Sequence, residues 1–201
     1  MNFSSKLIED AVNAFTTLPG VGRKTALRYV IHLLNRQPEV TAQFSETLSK
    51  MRAEIKFCTK CHNVSDNPIC GICANESRKK QTICVVETIR DVMAIEDTNQ
   101  FNGVYHILGG VISPINGIGP SQLNISTLIS RVSQDDVKEI IMALSPTIDG
   151  DTTIFYISKL LQDTDVNIST IARGVSFGGE LEYADEITLG RSILSRTPYQ
   201  K

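Results

Sequence analysis

Four cysteines, Cys58-x2-Cys61-x8-Cys70-x2-Cys73, stand within one short stretch of this 201-residue chain. Two Cys-x-x-Cys pairs, parted by the turn-forming Asn63, Asp66, Asn67 and Pro68, can bring four thiolates around one tetrahedral centre. Zn–S bonds of about 2.3 Å suit that geometry, and a shell filled by protein leaves no position for catalysis. Two disulfides, or four unrelated thiols, are the alternative. Disulfide frameworks belong to secreted chains, and Met1-Asn2-Phe3-Ser4-Ser5-Lys6 has no apolar signal-peptide core. One structural Zn2+ per chain is therefore expected. His62 is a spare donor that four cysteines make unnecessary, and Cys84, inside an apolar run, reads as a small buried residue.

A second set of residues suits an anion. Residues 5–15 read as a helix with Leu7, Ile8, Ala11, Val12 and Phe15 on one face. Pro19 and Gly20 stop it, and a second helix follows through Leu34, with Ala26, Leu27, Val30, Ile31 and Leu34 inward. Gly20 and Gly22 let the backbone approach a partner closely, and the amides opening the second helix point outward, as towards a phosphate. Arg23, Lys24 and Arg28 add positive charge beside them. This is a helix-hairpin-helix pattern, which grips the DNA backbone without reading sequence. An ordinary helix connection is the competing reading; the Arg-Lys pair and the small Ala26 favour DNA. A third helix, Val40 to Lys56, carries the stripe Val40, Phe44, Leu48, Met51 and Ile55.

Beyond Arg78-Lys79-Lys80 the pattern becomes strand–helix alternation. Thr82–Val86, Gly103–Gly109, Glu139–Leu144 and Val166–Ala172 read as strands, the first buried and parallel. Residues 88–97, 123–132 and 152–161 read as helices, and 109–120 as a glycine- and proline-rich loop. A mainly parallel sheet with helices on both faces follows, and ligands in such sheets gather beyond the carboxyl ends of the strands. Glu87, Asp149 and Asp151 fall there, and such carboxylates can hold Mg2+. Alternatively they are loop and cap residues, with Asp151 capping the helix from Thr152. No Ser/His/Asp or Cys/His constellation is readable, and Tyr29, Tyr105, Tyr156, Tyr183 and Tyr199 are scattered.

Charge divides the chain as the motifs do. Residues 1–80 hold 12 Lys/Arg against 7 Asp/Glu, and residues 81–201 hold 8 against 15, which points any polyanion contact to the front; an incidental imbalance of solvated faces is the alternative. A hydrophobic content of 41% fits a globular protein, and no apolar run is long enough to span a bilayer.

In this order, the hairpin, the four-cysteine module and an α/β domain bearing Glu87 and Asp149-Gly150-Asp151 resemble the RecR family of bacterial recombination mediators. The α/β part resembles the Toprim domain of topoisomerases and primases. Ile83–Glu87, Leu108–Pro114, Gly117–Pro120 and, most specifically, Ile171–Asp185 carry the resemblance. Two departures are visible: Ser176 replaces a usual proline, and Asp149-Gly150-Asp151 replaces Glu-Gly-Glu or Glu-Gly-Asp. The resemblance implies a hairpin domain (1–53), a zinc finger (54–78), a Toprim domain (81–176) and a C-terminal oligomerisation segment (177–201). It implies a non-catalytic scaffold of the bacterial cytoplasm, a dimer or tetramer that helps RecO and RecF load RecA at single-strand gaps. The acidic cluster would then receive RecO, with weak Mg2+ as a further occupant. The alternative function is a Mg2+-dependent phosphoryl-transfer enzyme acting on DNA through those carboxylates.

Overall fold

A computed structural model describes residues 3–175 and 178–198. Ser176, with its departure from proline, and Tyr199 lie outside the described residues. The chain forms two compact units, residues 1–55 and 56–201.

The first unit holds three helices, α1 (Lys6–Thr16), α2 (Arg23–Leu34) and α3 (Pro38–Glu54). Val12, Ala26 and Val30 form its buried centre, with Ile8, Ala11, Phe15 and Leu27 packed around them. Ala26 has no bulk to hold α1 and α2 apart, and Phe15 meets Tyr29 edge-on at 5.8 Å. The helical period overstated what is covered. Leu7 is 82% exposed and Leu34 65%, and Ile31 also faces out rather than in. The α3 stripe is apolar as expected, yet the helix buries no residue. Pro38, pre-set for a first helical turn, starts α3 two residues before Val40. It ends before Lys56 because Ile55 is extended (ψ 135°).

The second unit begins with a two-stranded antiparallel ribbon, β1 (Lys56–Phe57) and β2 (Val64–Ser65), and a single helical turn, α4 (Gly71–Ala74). Then follow β3 (Lys79–Val86), α5 (Ile89–Asp97), β4 (Gly103–Ile107), α6 (Ile125–Gln134), β5 (Glu139–Ala143), α7 (Ile148–Leu160), β6 (Asn167–Thr170) and α8 (Glu186–Leu194). The four longer strands form a parallel sheet in the order β4-β3-β5-β6. Alternation along β3 feeds two cores: Ile83 and Val85 pack with Leu128, Ile140 and Ile157, whereas Cys84 and Val86 pack with Val92 and Tyr105. Helices therefore cover both faces, as expected for buried parallel strands.

The largest departure lies at α7, which starts at Ile148 rather than Thr152. Thr147 Oγ1 accepts from the Gly150 N–H at 3.1 Å and is the cap. Asp151 is thus not the cap, and Asp149 and Asp151 both sit in the helix's first turn instead of a loop. The strands run Glu139–Ala143 and Asn167–Thr170, shorter than expected, while α6 begins at Ile125, after Asn124.

Candidate metal centre and nucleic-acid interface

The four cysteine sulfurs lie within 4.8 Å of one another, and all four residues are buried. The turn that joins β1 to β2 makes this possible. Cys58 N–H donates to Asn63 O at 2.7 Å, and His62 N–H donates back to Cys58 O at 2.9 Å. His62 takes φ 63° to close that turn. On the other side Cys70 N–H donates to Cys58 Sγ at 3.3 Å and Cys73 N–H to Cys70 Sγ at 3.5 Å. Amides aimed at sulfur stabilise thiolates. Clustered thiols also bias one another: Cys73 falls to about 6, above all because the Cys61 thiol donates to it, with Arg131 as a further cause. Cys61, as that donor, is pushed up. The buried, all-sulfur donor set fits Zn2+. Cys84, buried in β3 and pushed up to about 12 by that burial, is an inert thiol.

His62 takes a different role from a spare ligand. Its Nε2 pairs with Thr127 Oγ1 of α6 at 2.8 Å, and its ring stands edge-on to His106 of β4 at 5.2 Å. Burial drives His106 down to about 4, so its ring is neutral, with Nε2 donating to Asn124 O at 2.8 Å. Ile107 N–H donates to Cys61 O at 2.9 Å. The cysteine module is thus fastened to the sheet by its second knuckle residue and the histidine beside it. No local spacing signals these contacts, since Thr127 lies 65 residues from His62.

In the hairpin, Gly20 turns the chain at φ 79°, and Val21 N–H donates to Leu18 O at 3.1 Å. Gly22 is the residue before α2, without a side chain to cap it. A Cβ at Gly20 or Gly22 would meet nothing within 4 Å, so the hairpin surface is open to an incoming group. Arg23, Lys24 and Arg28 are exposed and make no ion pair among the described residues. The Arg23 guanidinium sits 5.8 Å from the Phe3 ring and that of Arg28 5.7 Å from Tyr29, which restrains both without consuming their charge. Gly20, Gly22, Arg23 and Lys24 stand at the opening of α2, and Arg28 follows in its second turn.

Glu87, Asp149 and Asp151 do not form a donor set with metal-ligand spacing. Among the described residues, only the four cysteines form a set of three or more donors with the spacing of a metal site. Glu87 Oε1 accepts from Ser145 N–H at 2.6 Å, and Asp151 is held by Arg173 at 2.6 Å and Arg191 at 3.6 Å. The Arg173 guanidinium holds the Asp151 carboxyl below its ordinary range. Arg173 and Arg191 escaped the sequence reading, because pairing across 22 and 40 residues leaves no local pattern. Gly150 has a steric reason to be glycine: a Cβ there would lie 2.1 Å from Ser145 O.

Helix-hairpin-helix, four-thiol module and parallel Toprim-type sheet, in one chain and in this order, define a multi-module protein with a zinc-type site and a cationic helix opening. The family descriptions that match are the RecR helix-hairpin-helix over residues 8–52, the RecR four-cysteine zinc finger domain over 55–75, the Toprim domain over 81–172 and the RecR C-terminal segment over 174–197. The chain is 62% identical to the Recombination protein RecR of Flavobacterium johnsoniae, covering all of this chain and 98% of that protein. It is 56% identical to the RecR of Cytophaga hutchinsonii (all of this chain, 98% of that protein) and 56% identical to that of Phocaeicola vulgatus (97% and 95%). The chain belongs to the RecR family.

Proposed function

We propose that this chain is a non-catalytic DNA-binding scaffold of recombinational repair. The hairpin opening carries the reading: three exposed cations without ion-pair partners among the described residues stand beside uncapped helix amides and two glycines with free space around them. That arrangement suits phosphodiester oxygens and reads no base. The cysteine module holds one structural Zn2+. In keeping with the family, the protein helps RecO- and RecF-type partners load RecA at single-strand gaps in the bacterial cytoplasm. No helix among the described residues is long and apolar enough to cross a membrane.

The phosphoryl-transfer reading is disfavoured by the site itself. A two-metal mechanism needs convergent, free carboxylates, whereas Glu87 serves a backbone amide and Asp151 two arginines. A partner contact suits Glu87 better. It lines a cleft of about 470 Å3 with Phe57, Val64, Ile89 and Ile107, where an apolar side chain flanked by a base would fit. Asp149, without an ion pair among the described residues, adds charge at the start of α7.

A homo-oligomer, dimer or tetramer, accounts for the first unit's uncovered surface. Leu7, Ile8, Phe15, Leu34 and Ala42 line a cavity of about 480 Å3, and Phe44 and Leu48 of α3 are also exposed. Contiguous exposed apolar surface of this kind marks an interface.

The experiment is binding to gapped DNA with Mg2+ or Mn2+ present, read for both complex and product. Retention of DNA with no cleavage or ligation is expected; metal-dependent product lost in Glu87→Gln/Asp149→Asn would transfer the assignment to the enzyme.

A further inference from the structure

Arg131, in the last turn of α6, is a buried cation short of partners. Its side chain is 9% exposed. Nη1 donates to Tyr105 O at 2.8 Å, while Nε is buried without a hydrogen-bond partner. The carboxylate paired with it, Asp135 Oδ2, stands 3.5 Å from Nε on a half-exposed side chain. Burying a charge is costly unless an opposite charge offsets it. One carbonyl and one rim carboxylate do not meet that need.

A further source of negative charge, the Cys73 sulfur, lines the same hollow as Arg131. Arg131 lines a cavity of about 320 Å3 with Cys73, and Lys60 and Lys80 stand on its wall beside Asp135 and Asp136, of which the first pairs with Arg131 and the second with Lys138. Four thiolates around one Zn2+ carry a net charge of about −2. We propose that Arg131, with Lys60 and Lys80, is the counter-charge of the zinc–thiolate shell, so that helix α6 of the Toprim domain completes the metal centre. The proposal rests on the reading of the four cysteines as a zinc site. Arg131 acts through the thiolates and touches no metal; it is a positioning residue.

The fastening of the module to the sheet gives this electrostatic contact a fixed geometry. Ile107 N–H holds the Cys61 carbonyl, and Thr127 of α6 holds His62. Arg131 lies one helical turn beyond Thr127 on the same helix, and its Nη1 grips the β4 carbonyl two residues before Ile107. Loss of the zinc–thiolate shell would remove the charge that Arg131 faces, so metal retention and the β4–α6 edge should stand or fall together. Groups that orient or stabilise metal ligands from outside the shell typically contribute about 10–100-fold to metal affinity.

The test uses the full-length, zinc-loaded protein and follows zinc transfer to a chromogenic chelator, with circular dichroism as the fold check. Arg131→Met should lose zinc about 10–100-fold faster than wild type, and Arg131→Lys, which keeps the charge, should restore most of the retention. Two outcomes overturn the proposal: Arg131→Met retaining zinc like wild type, or Arg131→Lys losing it as fast as Arg131→Met, which would make the Tyr105 hydrogen bond the whole effect. If Arg131→Met does not fold, Lys60→Ala/Lys80→Ala on the exposed rim decides: faster zinc loss supports the proposal and an unchanged rate overturns it. A wild-type protein that holds no zinc removes the metal reading itself, and is distinguishable from a failure of Arg131 alone.

Discussion

Arg173 Nη2 lies 2.6 Å from Asp151 Oδ1, and Arg191 Nη2 reaches the second carboxylate oxygen at 3.6 Å. One side chain at the start of α7 thus ties down both the segment after β6 and helix α8. The residue that a Toprim-type site would offer to a metal serves here as an anchor for the C-terminal segment.

Asp151→Asn should loosen that segment without unfolding the sheet. Ion pairs this exposed contribute about 0.2–1 kcal/mol each, so the melting temperature should fall only slightly while hydrogen exchange across 171–194 accelerates. The folded pKa of Asp151 is depressed, above all by its hydrogen bond to Arg173. Its contribution is therefore complete above the ordinary aspartate value near ~3.9 and is lost as pH falls through the lower folded value. Exchange at 171–194 that ignores both the substitution and acid would refute the anchor.

Gly150→Ala should destabilise the protein even though alanine is the better helix former. The added Cβ would lie 2.1 Å from Ser145 O, a backbone atom that cannot rotate away. Overpacking of this kind costs about 1–3 kcal/mol, against a gain of roughly 0.5–1 kcal/mol from helix propensity. Urea unfolding gives the sign: a more stable Gly150→Ala protein contradicts the close approach.

Glu96 carries a three-way contact at the edge of the sheet. It accepts from the Tyr105 hydroxyl at 2.6 Å and from Arg78 Nη1 at 2.8 Å, and Arg78 Nη2 closes the bidentate pair. Hydrogen bonds to charged groups are worth about 1.5–3 kcal/mol, so Glu96→Ala should lower unfolding free energy by about that much. Arg78 first, then Tyr105, holds the Glu96 carboxyl below its usual range despite burial. This stability is present above the ordinary glutamate value of roughly 4.3 and disappears as pH drops through the folded value. Identical acid unfolding of wild type and Glu96→Ala would rule the contact out as a source of stability.

What could be read from sequence and what could not divide along physical lines. The thiol cluster was legible because its four ligands, Cys58 to Cys73, form two Cys-x-x-Cys pairs at short spacing. The parallel strands were legible because burial on both faces makes a run such as Ile83–Val86 continuously apolar. The start of α7 was not, since Asp149-Gly150-Asp151 has the composition of a loop and its cap, Thr147, follows a proline. Periodicity identified the α3 stripe but could not say what covers it, because an apolar face facing solvent and one facing a core have the same pattern. Arg131 and Arg173 were invisible as site residues, because their partners lie on elements that only the tertiary fold brings near.

The central claim is tested most directly by the salt dependence of DNA binding by wild type and Arg23→Ala/Lys24→Ala. Each lost phosphate contact should reduce the slope of log K against log salt by roughly 0.7–0.9. The double variant should bind more weakly on every DNA sequence tried, with its slope flatter by about 1.4–1.8 and zinc content unchanged. A double variant that binds like wild type, with the same slope from low to high salt, would contradict the assignment of the hairpin as the DNA contact.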